Sequence, residues 1–478
     1  MKKSIIKINS FLLIAVSLSL LASCNSPVAK EGGQPNILED GQPNILFIMA
    51  DDCTYNVLGC YGGQNAKTPN IDKLATEGLL FKKAYVGMSM CVPCRQELYT
   101  GLYPLQSGCA WNHSQSKPGT KSIFHYLTDL GYRVGISGKK HATPKEVFPY
   151  INVPGFEENC VKADEKMEDC SGIKAFMEKD NEQPFCLFVC STNPHTPWTL
   201  GDPSAYPPDE IKLPATLGDT PEVREAYSRY LAEVAYFDRQ VGKILKTLEE
   251  TGKAGNTLVM LSSEQGWQFS GGKWTNWDIG VHTGLLARWP GKIKPGTNTS
   301  ALVQFADITP TFIDLAGGNP IEGLSGTSFL DVLLGRKSGH REYVYCMHNN
   351  VPAGKPYPIR SIRDKDFHYI MNLIPDSAYF GKYLEGGAHG DTWWESWKEA
   401  AKTDGNAKFL VERFYYRPAE ELYFAGNDPN EFNNLAGLIE YGPIQKKLRG
   451  ELLKWMNGQK DPGIPVDTKE AWQKKYWR

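Results

Sequence analysis

The sequence has no block of like charge. Its 52 Lys and Arg nearly match its 54 Asp and Glu, leaving a formal net charge of -2. Nothing in it therefore points to nucleic acid, and any anion must be held by a local cluster of side chains. Internal repeats with a period of roughly 20 to 50 residues are also missing, which excludes a solenoid or propeller. Cysteine is present but sparse: eleven are scattered through 478 residues, which does not suit a disulfide framework. Setting aside Cys24 and one special cysteine leaves an odd number, so at least one thiol should stay free. An apolar run from Phe11 to Leu21 is too short, and wrongly flanked, to span a bilayer.

That run does carry information. Lys2 and Lys3 precede it and Leu21-Ala22-Ser23-Cys24 follows it, the pattern of a secretory signal whose small residues precede a cysteine that becomes the lipidated first residue of a bacterial lipoprotein. The expectation is a signal peptide over 1–23, a lipid anchor on Cys24 and a polar linker over 24–41. GQPNIL occurs twice in this region, and only the second copy runs on into FIMADD. The first copy is read as linker.

With 41% hydrophobic residues, the rest is ample for a large core. Four short apolar runs stop at unusually polar ends: Asn44 to Ala50 before Asp51-Asp52, Arg133 to Ser137 before Gly138-Lys139-Lys140-His141, Phe185 to Cys190 before Ser191 to His195, and Thr257 to Ser262 before Ser263-Glu264-Gln265. Continuous rather than alternating apolar runs predict strands buried on both faces of a parallel sheet. Ligands in such sheets sit beyond the carboxyl ends of the strands. Between the runs, Val223, Tyr227, Tyr230, Val234, Phe237, Val241, Ile244 and Leu248 recur at helical spacing, with Thr220 to cap, Pro221 in the first turn and Gly252 to end the helix. The fold expected is a doubly wound α/β domain over 42–335. From 336 to 478 the aromatic runs YVYCMHNN and FHYIMNL and an amphipathic end from Ile444 to Trp455 predict a smaller α+β subdomain with antiparallel strands.

Cys91-Val92-Pro93-Cys94-Arg95 admits three readings. A thioredoxin-type redox pair needs a surrounding fold pattern that is missing here, and a zinc site needs a second ligand pair. The third reading comes from resemblance. This stretch, with Leu98, Thr100 and Gly101, resembles the signature of type I sulfatases of the alkaline phosphatase superfamily. GQPNILFIMADD, LGCYGG, TPNIDKLATEGLLF, GKKH, NPHTPW, RWPGKI and RPAEELYFAGNDPNEFNNLA match further landmarks in the family's order, over roughly Gln42 to Ala436. Several ordered motifs are far more specific than one short pattern.

The resemblance implies that Cys91 is converted by a maturation enzyme to formylglycine, whose hydrated form has one hydroxyl to attack sulfur and another to release sulfate. It implies a divalent cation on Asp51, Asp52, the modified Cys91, Glu264 and Gln265, and oxygen donors favour Ca2+ over zinc. Where the family commonly has Asp followed by Asn or His, Glu264 and Gln265 are each a methylene longer, so either the backbone sits further back or the metal geometry differs. A helix start at Arg95 is expected to place amides near the nucleophile. Arg95 should orient that residue, while Lys139 and Lys273 hold sulfate oxygens and His141 and His195 handle protons. Lys273 could equally be a solvated loop lysine. Asn112, His113, Trp274, Trp277 and His282 are candidates for the substrate side, and packing is an equal reading for the tryptophans. The function so implied is that of an exported, membrane-tethered sulfatase acting on a sulfated carbohydrate. A sulfamidase and a phosphonate or phosphodiester hydrolase are the alternative chemistries; a silent glycan-binding lipoprotein and a thiol-disulfide protein are the alternative classes.

Overall fold

A computed structural model describes residues 41–161, 169–385, 391–474 and 476. The expected signal peptide, the linker and Cys24 lie outside the described residues. Thirteen strands are present among the described residues: β1 (Asn44–Ala50), β2 (Leu79–Tyr85), β3 (Arg133–Gly138), β4 (Ile151–Asn152), β5 (Phe185–Cys190), β6 (Thr257–Ser263), β7 (His282–Arg288), β8 (Thr297–Thr299), β9 (Val303–Gln304), β10 (Val344–His348), β11 (Ile359–Arg363), β12 (Phe367–Asn372) and β13 (Glu420–Phe424).

The first nine form one sheet in the order β4-β3-β5-β1-β6-β7-β2-β8, with β9 also on β2. Pairing is parallel across β3-β5-β1-β6, and antiparallel where β7 meets β6 and β2. The sequence shows why. In β1, Leu46, Ile48 and Ala50 join one core while Ile45, Phe47 and Met49 join a second, and β5 and β6 alternate in the same way. An apolar strand of this kind has no solvent face, so both faces must be covered by helices. The long helix Pro221–Glu250 covers the first face through Val223, Tyr230, Val234, Phe237, Val241 and Leu248. Helices Ile123–Asp129 and Ile308–Leu315 cover the second. The long helix starts where expected: the Thr220 hydroxyl accepts the Val223 N–H at 3.2 Å, and Gly252 just past its end has φ 69°.

The last four strands form an antiparallel sheet, β10-β11-β12-β13. The fold is thus a mostly parallel α/β sheet with a smaller α+β part. The division expected at 335/336 falls between β9 and β10. Ile359, Ile362, Tyr369 and Ile370, with Trp393, Trp394 and Trp397 from helix Trp393–Ala400, belong to the same core as the first face of the large sheet, so the two sheets are packed through shared apolar side chains.

Buried ion pairs tie the two parts, Arg363 with Asp278 at 2.8 Å and Arg341 with Asp307. Asp307 accepts N–H groups from Gln304 and Thr327 at 2.9 Å each, and Arg341 donates to both of its carboxylate oxygens. Burial pushes the Asp307 carboxyl upward, but Arg341 and His340 outweigh it and hold it well below the usual range. Its stabilising contribution is therefore full above the unfolded-state value of about 3.9 and is lost as pH falls below it. Asp307→Ala, which strands the Arg341 charge, is expected to cost about 3–5 kcal/mol in denaturant unfolding at neutral pH, and the deficit should shrink on acidification; an unchanged midpoint at neutral pH would contradict this.

Candidate active site

The four polar clusters foreseen at the strand ends do meet. Strands β3, β5, β1 and β6 are adjacent and parallel, so Lys139, the Ser191 to His195 loop, Asp51-Asp52 and Glu264-Gln265 leave the sheet on one edge. The Asp51 N–H donates to the Asn193 carbonyl at 2.9 Å and the Lys139 N–H to that of Cys190 at 2.9 Å, which ties the turns together. Asp52 takes φ 58°, a left-handed conformation that a short polar side chain tolerates, and so follows Asp51 in a sharp turn.

Opposite this edge stands helix Cys91–Thr100. It begins at Cys91 itself, a turn earlier than the expected start at Arg95: Met90 is still extended (φ -149°, ψ 136°), and Pro93 fits a first turn that needs no N–H. Cys91 and Arg95 therefore share a helix face at i and i+4, with Cys91 at the positive end of the helix. The Cys94 thiol points elsewhere and donates to the Glu264 carbonyl at 3.4 Å.

The centre is a set of buried opposite charges. Lys139 Nζ pairs with Asp51 Oδ2, Lys273 Nζ lies 2.8 Å from Asp52 Oδ1, and Arg95 Nε donates to Glu264 Oε1 at 2.6 Å. Arg95 also reaches Asp51 Oδ1 at 4.0 Å and donates to the Lys139 carbonyl at 2.9 Å. Lys273 is buried here and is not a solvated loop residue. Burial raises both Asp51 and Glu264, but Lys139 and its neighbours bring Asp51 well below the usual range, while Glu264, beside the Asp51 charge, stays up at about 8. The charge on Asp51 thus disfavours a second negative charge on Glu264, against the pull of Arg95.

These residues fit a hard divalent ion. Asp51 Oδ1 and Gln265 Oε1 are buried without a hydrogen-bond partner, and one atom each from Asp51, Cys91 and Glu264 lie within 4.8 Å of one another. The extra methylene of Gln265 is taken up by its amide, which donates to Asp52 Oδ1 at 2.5 Å; that of Glu264 carries its carboxylate across to Arg95. As a thiol, Cys91 is inert: burial pushes it up to about 11 in spite of Lys139 and Lys273.

His195 and His141 flank the site. The His195 ring faces the Thr196 carbonyl through Nδ1; a carbonyl can only accept, so Nδ1 carries a proton and Nε2 points inward, 3.6 Å from Asp52 Oδ2. Burial lowers His195 to about 4 against the pull of Asp52 and Asp51. His141 is pushed well down by burial, Lys139 and Arg95, and its Nδ1 has no partner.

The substrate-side candidates divide. His113 is exposed, with its ring 6.5 Å from that of His141 and close enough to Lys273 and Lys139 to feel their charge. Asn112 beside it is buried with Oδ1 unpartnered. Lys273 Nζ lies 5.3 Å from the centre of the Trp274 ring, which stacks on Tyr383. Trp277 and His282 are elsewhere, contrary to expectation. Trp277 donates to Glu421 at 2.8 Å and packs against Arg413 and Arg417. His282 is stacked on Tyr55 and Tyr85, with one nitrogen on Asp278 and the other on the Lys82 carbonyl. Four residues beyond Lys273 the chain already packs against the second sheet, and His282 opens β7 of the first, placements that spacing alone does not reveal.

Two residues escaped the sequence reading. Cys160 places its thiol within 4.8 Å of ligand atoms of Asp51 and His195; no motif marks it. Glu233, on the long helix, accepts N–H groups from Asn193, Thr199 and Leu200 at 2.9, 2.6 and 3.0 Å and so braces the His195 loop from both ends. A carboxylate beside Tyr230 and Val234 in an apolar stripe was the available signal. Glu233→Ala is expected to lower turnover about 10- to 100-fold by loosening His195, with Glu233→Gln recovering part of the loss; full activity in the alanine variant would rule out this bracing role.

Comparison with known proteins agrees with this geometry. The sulfatase family model matches residues 43–318, and a model of the N-sulphoglucosamine sulphohydrolase C-terminal region matches 264–377. An ulvan-active sulfatase of Formosa agariphila is 33% identical over 451 residues, 88% of this chain and 83% of the relative. Human N-sulphoglucosamine sulphohydrolase is 28% identical over 472 residues, 88% of this chain and 91% of the relative. Among solved structures, a protein in complex with its substrate D-glucosamine-2-N,6-O-disulfate superposes with a TM-score of 0.70 at 21% identity, over 90% of this chain and all of that one, which supports the alkaline-phosphatase-like fold. The helix that opens at Cys91, facing buried carboxylates and lysines at one sheet edge, together with these matches, identifies the chain as a member of the sulfatase family, a sulfuric ester hydrolase.

Proposed function

We propose that this enzyme removes sulfate from a sulfated carbohydrate, with Cys91 converted to formylglycine and Ca2+ on Asp51, Asp52, Glu264 and Gln265. The observation that carries the reading is the position of Cys91: a thiol too basic to act as a nucleophile stands at a helix N-terminus, within 4.8 Å of two carboxylates and under the charge of two lysines. Conversion to a hydrated aldehyde gives that position a hydroxyl nucleophile and a second hydroxyl through which sulfate can leave. The cation would neutralise the carboxylates and polarise oxygen near sulfur.

The chain's own groups supply the rest. Lys139 and Lys273 are directed at the nucleophile's position and, once a cation holds Asp51 and Asp52, can neutralise sulfate oxygens. Arg95 stays fixed by Glu264 and the Lys139 carbonyl and orients the residue one turn before it. The inward Nε2 of His195 can carry a proton stabilised by Asp52 and pass it to the departing alcohol. His141, whose ring is held neutral, can accept a proton from the nucleophile side. His113, exposed beside His141, is the side chain best placed to meet an incoming sugar, with Trp274 beside Lys273 behind it.

The carbohydrate reading is supported by the ulvan-active relative. A second reading, cleavage of an N-sulfate, is favoured by the match of residues 264–377 to the sulphohydrolase C-terminal region. Export and tethering are supported by the Lys2 to Cys24 segment, and a formylglycine-generating enzyme is the implied maturation partner.

Incubation with a panel of defined O-sulfated and N-sulfated saccharides and matched phosphate and phosphonate esters, with released anions quantified, is expected to give sulfate from O-sulfated sugars. Release from N-sulfated sugars alone would select the second reading, and turnover of phosphorus esters alone would overturn both. Cys91→Ala should lower turnover by about four orders of magnitude or more, as loss of a nucleophile does, whereas Cys94→Ser should stay within about three-fold, since its thiol makes one weak contact to a carbonyl. Comparable losses in the two variants would point to a cysteine pair instead.

A further inference from the structure

We propose that Cys160, His195 and Asp51 form a second cation site, specific for a soft, imidazole-binding divalent ion of the zinc class and distinct in chemistry from the oxygen site beneath it. The thiol of Cys160, a ring nitrogen of His195 and a carboxylate oxygen of Asp51 all lie within 4.8 Å of one another. Four-coordinate zinc takes this mixture of sulfur, nitrogen and oxygen at about 2.0–2.3 Å per bond, so modest side-chain rotations close the set, with solvent as the fourth ligand.

Three features favour an ion there, the second of them shared with the oxygen site. The Nδ1 proton of His195 is committed to the Thr196 carbonyl, which leaves Nε2 with its lone pair directed inward, the arrangement in which a backbone acceptor orients a ligating histidine. Asp51 is fully buried and its Oδ1 has no hydrogen-bond partner. Cys160 is a free thiol on the loop after Gly155, close enough to Lys139, Asp51, Lys273 and Asp52 to sense all four charges. Calcium does not seek thiolate or imidazole, whereas zinc and cobalt do. On binding, the Cys160 proton passes to solvent.

Occupancy has a consequence that rests on the proposed function: the ion takes the lone pair that His195 needs for proton transfer. The site would therefore be inhibitory, a means by which zinc-class ions silence the enzyme while calcium supports it.

The test uses the full chain in millimolar calcium, titrated with Co2+ and followed by the thiolate-to-cobalt charge-transfer absorption in the near ultraviolet. Wild type should bind one equivalent with that band, and Zn2+ should displace it; Cys160→Ser should lose the band, while Cys91→Ser, whose thiol lies in the other cluster, should keep it. Loss of the band in Cys91→Ser with retention in Cys160→Ser, or no band in wild type, overturns the site. Circular dichroism of each variant separates loss of a ligand from loss of fold. In sulfate-release assays, Zn2+ should inhibit wild type at least about ten-fold more potently than Cys160→Ser, a step typical of a weakened metal site; equal inhibition overturns the inhibitory role. The cobalt result does not depend on turnover, so failure of the sulfatase reading and failure of this site are distinguishable.

Discussion

The structure depends on confining three carboxylates and three cations in one buried volume. Asp51, Asp52 and Glu264 face Lys139, Lys273 and Arg95 with almost no solvent. Charges buried in this way are tolerated only when each has a partner, and their balance makes the position of every member depend on the others. The same confinement explains the depressed Asp51, the raised Glu264 and the inert thiol of Cys91. It gives a sulfate ester and a divalent cation something to replace: an anion can take the lysines as a cation takes the carboxylates.

The sheet is what makes this confinement possible. Four parallel neighbours end on one edge, and each contributes charged or polar residues in the turn that follows. Apolar strands covered on both faces hold those turns in register, and the helix carrying Cys91 and Arg95 closes the site from the other side. The bracing is in part remote: Glu233, in the fourth turn of the long helix that covers the first face, fixes both ends of the His195 loop.

Much of this was legible in the sequence because the relevant signals are local. Continuous apolar runs declared the parallel strands, and their polar termini declared the edge where chemistry would gather; Thr220, Pro221 and Gly252 bounded the long helix. Cys91, Arg95, Lys139, His141 and His195 were identified by ordered motifs; Lys273 lies in none of them and was equally readable as a solvated loop lysine, and the structure brings all six to one place. The misjudged residues are those whose fate is decided by tertiary packing. Trp277 and His282 follow Lys273 closely in the chain, yet the turn between them carries their rings into contacts with Arg413, Arg417, Tyr55 and Tyr85. Cys160 shows the converse: nothing near it in sequence marks it, and only the folding of a distant loop brings it beside Asp51 and His195. The Cys91 helix starts a turn earlier than the expected Arg95, because a proline at position 93 falls in the first turn, where it costs no hydrogen bond.

The central claim is that the side chain at position 91 is no longer a cysteine in the working enzyme. Mass spectrometry of the peptide spanning Ser89 to Arg95, taken from a preparation whose turnover has been measured, tests it directly. The account predicts an aldehyde or its hydrate at position 91, in a fraction that rises and falls with specific activity. A fully active preparation with an intact thiol at that position would contradict it.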